Sequence, residues 1–410
     1  MWDRVLDTML AGLIRQGTLV VHLPSGRILR HGDGTEPQVT VSLTAPDLPA
    51  KLARNASLYV GEAYMDGTLI IGNDDLAGFL TLVIRNSTGP GRVWWHRALD
   101  RVHILLRTLH QTNPAARARR NVAHHYDLSG ALYDLFLDAD RQYSCGYFRH
   151  PTDTLEQAQA QKKAHIAAKL HLQPGMRVLD IGCGWGGLGL TLARDYGANV
   201  TGVTLSAEQH KIATDRAAGA GLSDRADFRL TDYRSVTGQF DRIVSVGMFE
   251  HVGVPHYREY FRHVAAKLKP DGVALIHTIG RNTPPLYTSP WVTKYIFPGG
   301  YVPALSEMVT AVEKEGLWTT DIEVWRLHYA QTLQHWYARF MANIDHARAL
   351  YDERFCRMWR YYLLASELSF RHGRQCVFQV QLAHSQQAVP LTRDYLYRPK
   401  PRHRLAEAAE

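Results

Sequence analysis

Cysteine is scarce in this chain of 410 residues. There are four, Cys145, Cys183, Cys356 and Cys376, and no two stand in C-x-x-C spacing. That argues against a zinc site or a disulfide framework and fits a reducing compartment. Long apolar runs are missing too. The opening segment, MWDRVLDTMLAGLIRQG, carries Asp3, Asp7 and Arg15 within its apolar pattern, so it lacks the continuous apolar region of a signal peptide, and no later run reaches spanning length. A cytoplasmic protein, or one peripheral at the inner face of the membrane, is expected. There is no internal repeat, no low-complexity segment, no C2H2 spacing and no RNP-like aromatic motif, and RPKPRHR at 398–404 reads as a solvated tail. No nucleic-acid partner is expected.

What is present is 45% hydrophobic residues and a formal charge of +8, enough apolar content for one large domain and a smaller one. The positive charge favours an anionic partner, and without nucleic-acid motifs an anionic lipid surface is the better choice. Trp2, Val5, Leu6, Met9, Leu10, Leu13 and Ile14 recur at helical spacing. This amphipathic helix packs on its own domain or touches a membrane. Alternating runs follow (TLVVHL, QVTVSL, SLYVGEAY), then helical segments, which together predict a smaller N-terminal α+β domain over 1–112. The polar, basic stretch QTNPAARARR supplies a linker at 113–120, a catalytic domain spans 121–392, and residues 393–410 form a basic tail.

From residue 121 the texture changes. MRVLDIG, NVTGVTL, ADFRLTD, FDRIVSVG and GVALIHTIG are short β-branched runs separated by helical stretches, the pattern of an α/β domain with a doubly wound parallel sheet. PPLYTSPWVTKYIFPGGYVPALSE is too apolar for a solvated loop and is a candidate ligand cover. VLDIGCGWGGLGLTLARDYG sets Gly182, Gly184, Gly186 and Gly187 between a strand and a helix, where backbone can approach a ligand and a helix start offers free N–H groups. Asp180, just before the glycines, would repel a pyrophosphate but suits an ammonium. Some twenty residues on, where a dinucleotide site wants an acid, stands Thr204. S-adenosylmethionine fits this loop better than NAD. In TDYR, Asp232 is placed to accept from an adenine amino group and Tyr233 to stack, though an Asp-Tyr pair after a strand is equally a turn and cap.

With HHYDLSGALYDLFLDADRQYSCGYF, VLDIGCGWGG, VTGVTLSAEQ, VGMFEHVG, IHTIG and YIFPGGYVPALSE in this order, the chain closely resembles the cyclopropane-fatty-acyl-phospholipid synthase family, which also includes the mycolic acid methyltransferases. The match runs from about residue 121 to 382. It implies a class I S-adenosylmethionine-dependent methyltransferase fold, Rossmann-like, in which an acyl-chain olefin takes the sulfonium methyl and closes to a cyclopropane. Carried over, the cofactor contacts would be Tyr143, Ser144, the loop of Gly182, Gly184, Trp185, Gly186 and Gly187, then Thr204, Leu205, Ser206 and Gln209, with Asp232 and Tyr233. Asp180 joins them from the reading of the loop itself. The family also implies a bicarbonate base held by Cys145, Glu250, His277, the Ile279 amide and Tyr329. A phospholipid acyl chain at an anionic surface is the implied partner, docked by basic residues such as Arg117, Arg119 and Arg120, and a homodimer the implied assembly.

Such chemistry needs a dry, aligned pocket because an alkene is a weak nucleophile. Aromatic faces stabilise the resulting cation, and Tyr143, Tyr147, Phe249, Tyr295, Phe297, Tyr301 and Tyr329 are candidates, about half of them for packing alone. His277 and Tyr329 can donate to an anion, whereas Glu250 must be protonated or orient His277. Singly, Glu250 also reads as a helix-start acid, His277 as a polar strand end and Tyr329 as a core phenol. Cys145 becomes a small polarisable wall beside the base rather than a nucleophile. Ser366 stands where many relatives carry a cysteine, which puts a covalent role for that position in doubt. No metal is expected, since His124 and His125 lack a partner at helical spacing. The alternatives are a branched or methylene product, methylation of a small amine, or a catalytically inactive lipid-binding protein.

Overall fold

The computed structural model describes residues 1–87 and 130–397. Two compact units share them. One gathers residues 1–87, 286–298 and 330–375, the other 130–285, 299–329 and 376–397. The predicted linker, Arg117, Arg119, Arg120, His124, His125 and the 398–404 tail lie outside the described residues. Helix α1 (Trp2–Leu13) buries Leu6, Met9 and Leu10 on one face. These join Leu19, Val21, Val39 and Val41 in the first unit's core, so the apolar stripe packs on its own unit. Strands β1 (Thr18–His22), β2 (Ile28–Gly32), β3 (Gln38–Leu43) and β4 (Leu69–Ile71) form a sheet in the order β2-β1-β3-β4.

SLYVGEAY is not a strand. It forms the second half of α2 (Leu48–Met65), where Gly61, Tyr64 and Met65 are buried at spacings of three and four. Its alternation is too short to outweigh that helical period. Asn55 breaks the helix with φ −154° and ψ 75°, and its Oδ1 accepts from the Leu58 N–H at 3.2 Å. A side-chain oxygen starting the second half is a cap signal that the strand reading overlooked. Helix α3 (Leu76–Ser87) closes the N-terminal part of the unit.

The second unit contains α4 (Leu155–Lys169), started by a reciprocal Thr154–Gln157 capping box. Then strands and helices alternate: β5 (Arg177–Ile181), α5 (Gly187–Tyr196), β6 (Asn199–Thr204), α6 (Ala207–Gly219), β7 (Ala226–Leu230), β8 (Phe240–Val246), α7 (Tyr257–Lys267) and β9 (Leu268–Arg281). Later in the chain come α8 (Pro290–Tyr295), α9 (Leu305–Lys314), β10 (Trp318–Trp325), α10 (His328–Ala342), α11 (Glu353–Arg371) and β11 (Gln375–Ala383), of which α8, α11 and all but the start of α10 belong to the first unit. The sheet order is β10-β11-β9-β8-β5-β6-β7. The five predicted strands pair in parallel, as expected. The antiparallel β10–β11 pair was not anticipated. Val178, Leu179, Ile243, Val244, Leu275 and Ile276 are fully buried or nearly so, because helices cover both faces of a parallel sheet. The chain winds to one side of β5 through β6 and to the other through β8, which leaves a crevice at the strand ends.

Part of the aromatic insertion has a structural task. Residues 286–298 belong to the first unit. There the Trp291 indole donates to Met65 Sδ at 3.2 Å and its ring leaves no room for a Cβ on Gly61, while Lys294 and Tyr295 both donate to Glu62 Oε1. Phe297 packs edge-on against Tyr362. Trp291→Ala should therefore cost about 3–5 kcal/mol, measured by chemical denaturation. A loss under about 1 kcal/mol would return this segment to the role of a ligand cover.

Candidate functional site

The crevice at the ends of β5 and β6 is a cleft whose wall includes twelve of the fourteen expected cofactor residues: Tyr143, Ser144, Asp180, Gly182, Gly184, Trp185, Gly187, Thr204, Leu205, Gln209, Asp232 and Tyr233. Gly186 and Ser206 stand behind it. Gly186 has φ +81° at the start of α5, and a Cβ there would lie 2.8 Å from the Phe228 ring and 2.9 Å from the Ala213 methyl. Its task is the turn. Ser206 caps α6 by accepting from the Gln209 N–H at 3.3 Å. The Thr204 hydroxyl donates to Gln209 Oε1 at 2.9 Å, which fixes that amide at the cleft wall. Trp185 and Tyr143 each meet the Tyr133 ring edge-on, at 4.9 and 5.3 Å between centroids. Asp232 accepts from the Arg234 backbone N–H and from both arms of its guanidinium, at 2.7 to 3.0 Å. The turn-and-cap role is thus filled, with the carboxylate still on the wall.

Two charges in this cleft have little company. Asp180 is 1% exposed, and its Oδ2 has no hydrogen-bond partner among the described residues. Burial pushes its carboxyl up to about 7, with the positive charge of Lys162 opposing that rise. Lys162, on α4, is fully buried. Its Nζ donates to Ser144 Oγ at 2.7 Å and to Gln142 Oε1 at 2.8 Å, and burial draws the amine down to about 7. Lys162 was missed by sequence reasoning. It sits in QAQKKAHIAAK, whose polar residues suggest a solvated helix, yet Gln159, Lys162, His165 and Lys169 are all buried. Gln142, His251 and Met248 also line the cleft unforeseen.

Around the tip of β9 a second cluster forms. Glu250, on a one-turn helix at Phe249–His251, accepts the Ile279 N–H at 2.6 Å through Oε1, while Oε2 has no partner among the described residues. Burial pushes its carboxyl up to about 7 against that hydrogen bond. His277 lies two residues before Ile279, and the Gln379 side-chain nitrogen approaches its Nδ1 at 3.0 Å. Nδ1 then accepts and Nε2 carries the proton. Burial first, then the Lys162 and Lys169 charges, holds this imidazole well below its ordinary pKa, so it is neutral. Glu250, His277 and Ile279 are thereby brought together, and Met248 and His251 beside Glu250 reach the cleft wall.

The other expected residues divide. Cys145 is fully buried and donates to the Gly146 carbonyl at 3.3 Å. Its neighbours Tyr143 and Ser144 are on the wall, whereas Cys145 lies behind it. Tyr329 is buried in the first turn of α10, beside His328, which stacks on Tyr147, while Trp325 meets His277 edge-on. Phe249 and Tyr301 are core residues of the second unit. Cys356 is buried on α11, in the first unit, and the partly buried Ser366 is on the same helix.

A parallel sheet reversing at β5, with a glycine turn and an acid at that strand's end, defines a class I methyltransferase. Coclaurine N-methyltransferase, 21% identical, shares this fold with a TM-score of 0.65 over 79% of this chain and 98% of its own. The family model for mycolic acid cyclopropane synthetase matches residues 113–380, and the chain belongs to that family of S-adenosylmethionine-dependent methyltransferases. It is 42% identical to the cyclopropane-fatty-acyl-phospholipid synthase of Escherichia coli (strain K12) over 80% of this chain and 83% of that one. It is 35% identical to a probable fatty acid methyltransferase of Pseudomonas putida over 92% and 97% of the two chains. The solved mycolic acid cyclopropane synthase CmaA1, complexed with SAH and CTAB, is 34% identical with a TM-score of 0.62, covering 66% of this chain and 99% of that one.

The raised Glu250 carboxyl has a consequence for stability. Its pKa rises from an ordinary 4.5 to about 7 on folding, so the folded state holds the proton more tightly and stability falls as pH climbs through that window. Glu250→Gln should gain on the wild type between about pH 4.5 and 7, by up to about 3 kcal/mol, read from denaturation midpoints across pH. A difference that does not change with pH would show that folding leaves the Glu250 carboxyl at its ordinary pKa.

Proposed function

We propose that this protein transfers a methylene group from S-adenosylmethionine to the cis double bond of an unsaturated phospholipid acyl chain, forming a cyclopropane. The observation that carries the reading is the buried Glu250–Ile279–His277–Gln379 cluster joined to the cofactor cleft through Met248 and His251. When bound, S-adenosylmethionine supplies the electrophilic methyl. The chain's residues would hold it with Asp180 at the ammonium, the glycine turn beneath it and Gln209, Asp232 and Tyr233 along the wall. The unpartnered, buried Asp180 Oδ2 fits a cationic group there and disfavours a phosphate.

The second task is to remove one proton from the transferred carbon. Glu250 already takes the Ile279 amide, so an anionic base must share that N–H or accept a hydrogen bond from a protonated Oε2. A carboxyl pushed up to about 7 can keep its proton and donate a hydrogen bond instead of repelling the anion. His277 offers its Nε2–H to the same anion. Bicarbonate fits such a set. Docking on anionic lipid belongs to the same reading, as does a homodimer, and docking rests on the charge of +8. Among the described residues no helix is long and apolar enough to cross a membrane. A second reading, a fatty acyl C-methyltransferase leaving a branched methyl or methylene, draws on the nearly full-length likeness to the Pseudomonas putida protein.

Incubation with S-adenosylmethionine and vesicles of cis-unsaturated phospholipid tests both. Cyclopropanation gives acyl chains heavier by one methylene, loss of olefin and high-field ring protons by NMR. A branched product without those protons selects the second reading, and unchanged lipid with intact cofactor binding defeats both. Glu250→Gln should keep cofactor affinity while turnover falls about 100-fold or more. Cys145→Ser should lower turnover without abolishing it, and complete loss in a folded variant would make the thiol a participant.

A further inference from the structure

Lys162 and Lys163 are neighbours on α4 with opposite surroundings. Lys163 pairs with Asp140, which Arg216 also engages, so its charge is matched by a carboxylate. Lys162 is fully buried, and its two hydrogen-bond acceptors, Ser144 Oγ and Gln142 Oε1, are neutral. Among the described residues no carboxylate lies within ion-pair distance of its Nζ. An ammonium has three donors, so one N–H is left over. A buried cation whose only direct acceptors among the described residues are two dipoles, with Asp138 acting on it through space, is costly, and an anion beside it would offset that cost. The side chain lines the cofactor cleft, as does Ser144, whose oxygen accepts from Lys162 and whose own proton is therefore free to donate.

The same cleft holds the reciprocal deficit. Asp180 is buried, on the wall, and has an oxygen without a donor. A simple anion would serve Lys162 and leave Asp180 unmatched. A simple cation would do the reverse. An α-amino acid end, with ammonium and carboxylate on one carbon, serves both. We propose that Lys162, together with the Ser144 hydroxyl, binds the α-carboxylate of the cofactor's amino-acid end while Asp180 takes its ammonium, so that the two residues read the zwitterion as a pair. This assignment rests on the S-adenosylmethionine reading above. It makes Lys162 a cofactor-binding residue and gives the cleft a means of rejecting adenosine compounds that lack the amino-acid end.

The test compares three ligands by calorimetry on the full chain: S-adenosylhomocysteine, its decarboxylated analogue and 5′-methylthioadenosine. The wild type should favour S-adenosylhomocysteine over the decarboxylated compound. Lys162→Met should weaken S-adenosylhomocysteine about 10- to 100-fold and leave the other two within about threefold, while Lys162→Arg restores part of the preference. Equal loss for all three ligands would mean that Lys162 only shapes the cleft, and undiminished S-adenosylhomocysteine binding would mean that it does not touch the carboxylate. Either overturns the proposal. Retained 5′-methylthioadenosine binding certifies that the Met variant is folded. A wild type that binds none of the three would instead remove the cofactor reading itself, and this proposal with it.

Discussion

Strand β5 bears the constraint on which the second unit's site depends. It is paired in parallel on both sides, with Asp180 opposite Gly202 of β6 and Val244 of β8. Its backbone is therefore committed along its length, and the chain has to leave it by a tight turn. Gly182 and Gly186 permit that turn with φ near +80°. The opposite directions taken by the chain on the two sides then open the crevice. A carboxylate at the end of such a strand is buried by its neighbours whether or not it has a partner.

Burial of ionisable groups is the theme that joins the two clusters. Asp180, Lys162 and Glu250 are each moved toward neutrality by loss of water, and His277 is kept uncharged by the same cause. A packed core of similar size would be more stable with apolar residues at these places. Their presence marks the cleft as a site where stability is given up for a pocket that can hold charge and move a proton. Around them lies an apolar core of the second unit, which includes residues from Leu179 to Leu382.

Much of this was legible in the sequence because strand, turn and helix each leave a local signature. MRVLDI followed by four glycines within six residues fixes β5 and its turn, and period and composition fix the next four strands. The residues that escaped do so for a shared reason. Lys162 and Gln142 belong to a helix and a loop whose polarity suggests solvent, and only the packing of α4 in the second unit reverses that. The Ile279 amide is a backbone group, and its engagement by Glu250 depends on tertiary placement. SLYVGEAY misled because its alternation spans barely two helical turns. The Trp291 segment was recognised as too apolar for solvent, but what it covers, α2 in its own unit, is set by residues more than two hundred positions away.

The first unit's core brings Leu364 and Leu368 of α11 together with Leu6, Leu10 and Val41. Its opening segment therefore leaves the ribosome long before the helix that completes it. The central sheet waits as well, because β11 is synthesised last yet sits between β9 and β10. Neither unit can close until α11 and β11 have been made. During that stretch of synthesis the nascent polypeptide carries two unfinished apolar surfaces, which this topology leaves open to aggregation for longer than a simple head-to-tail arrangement would.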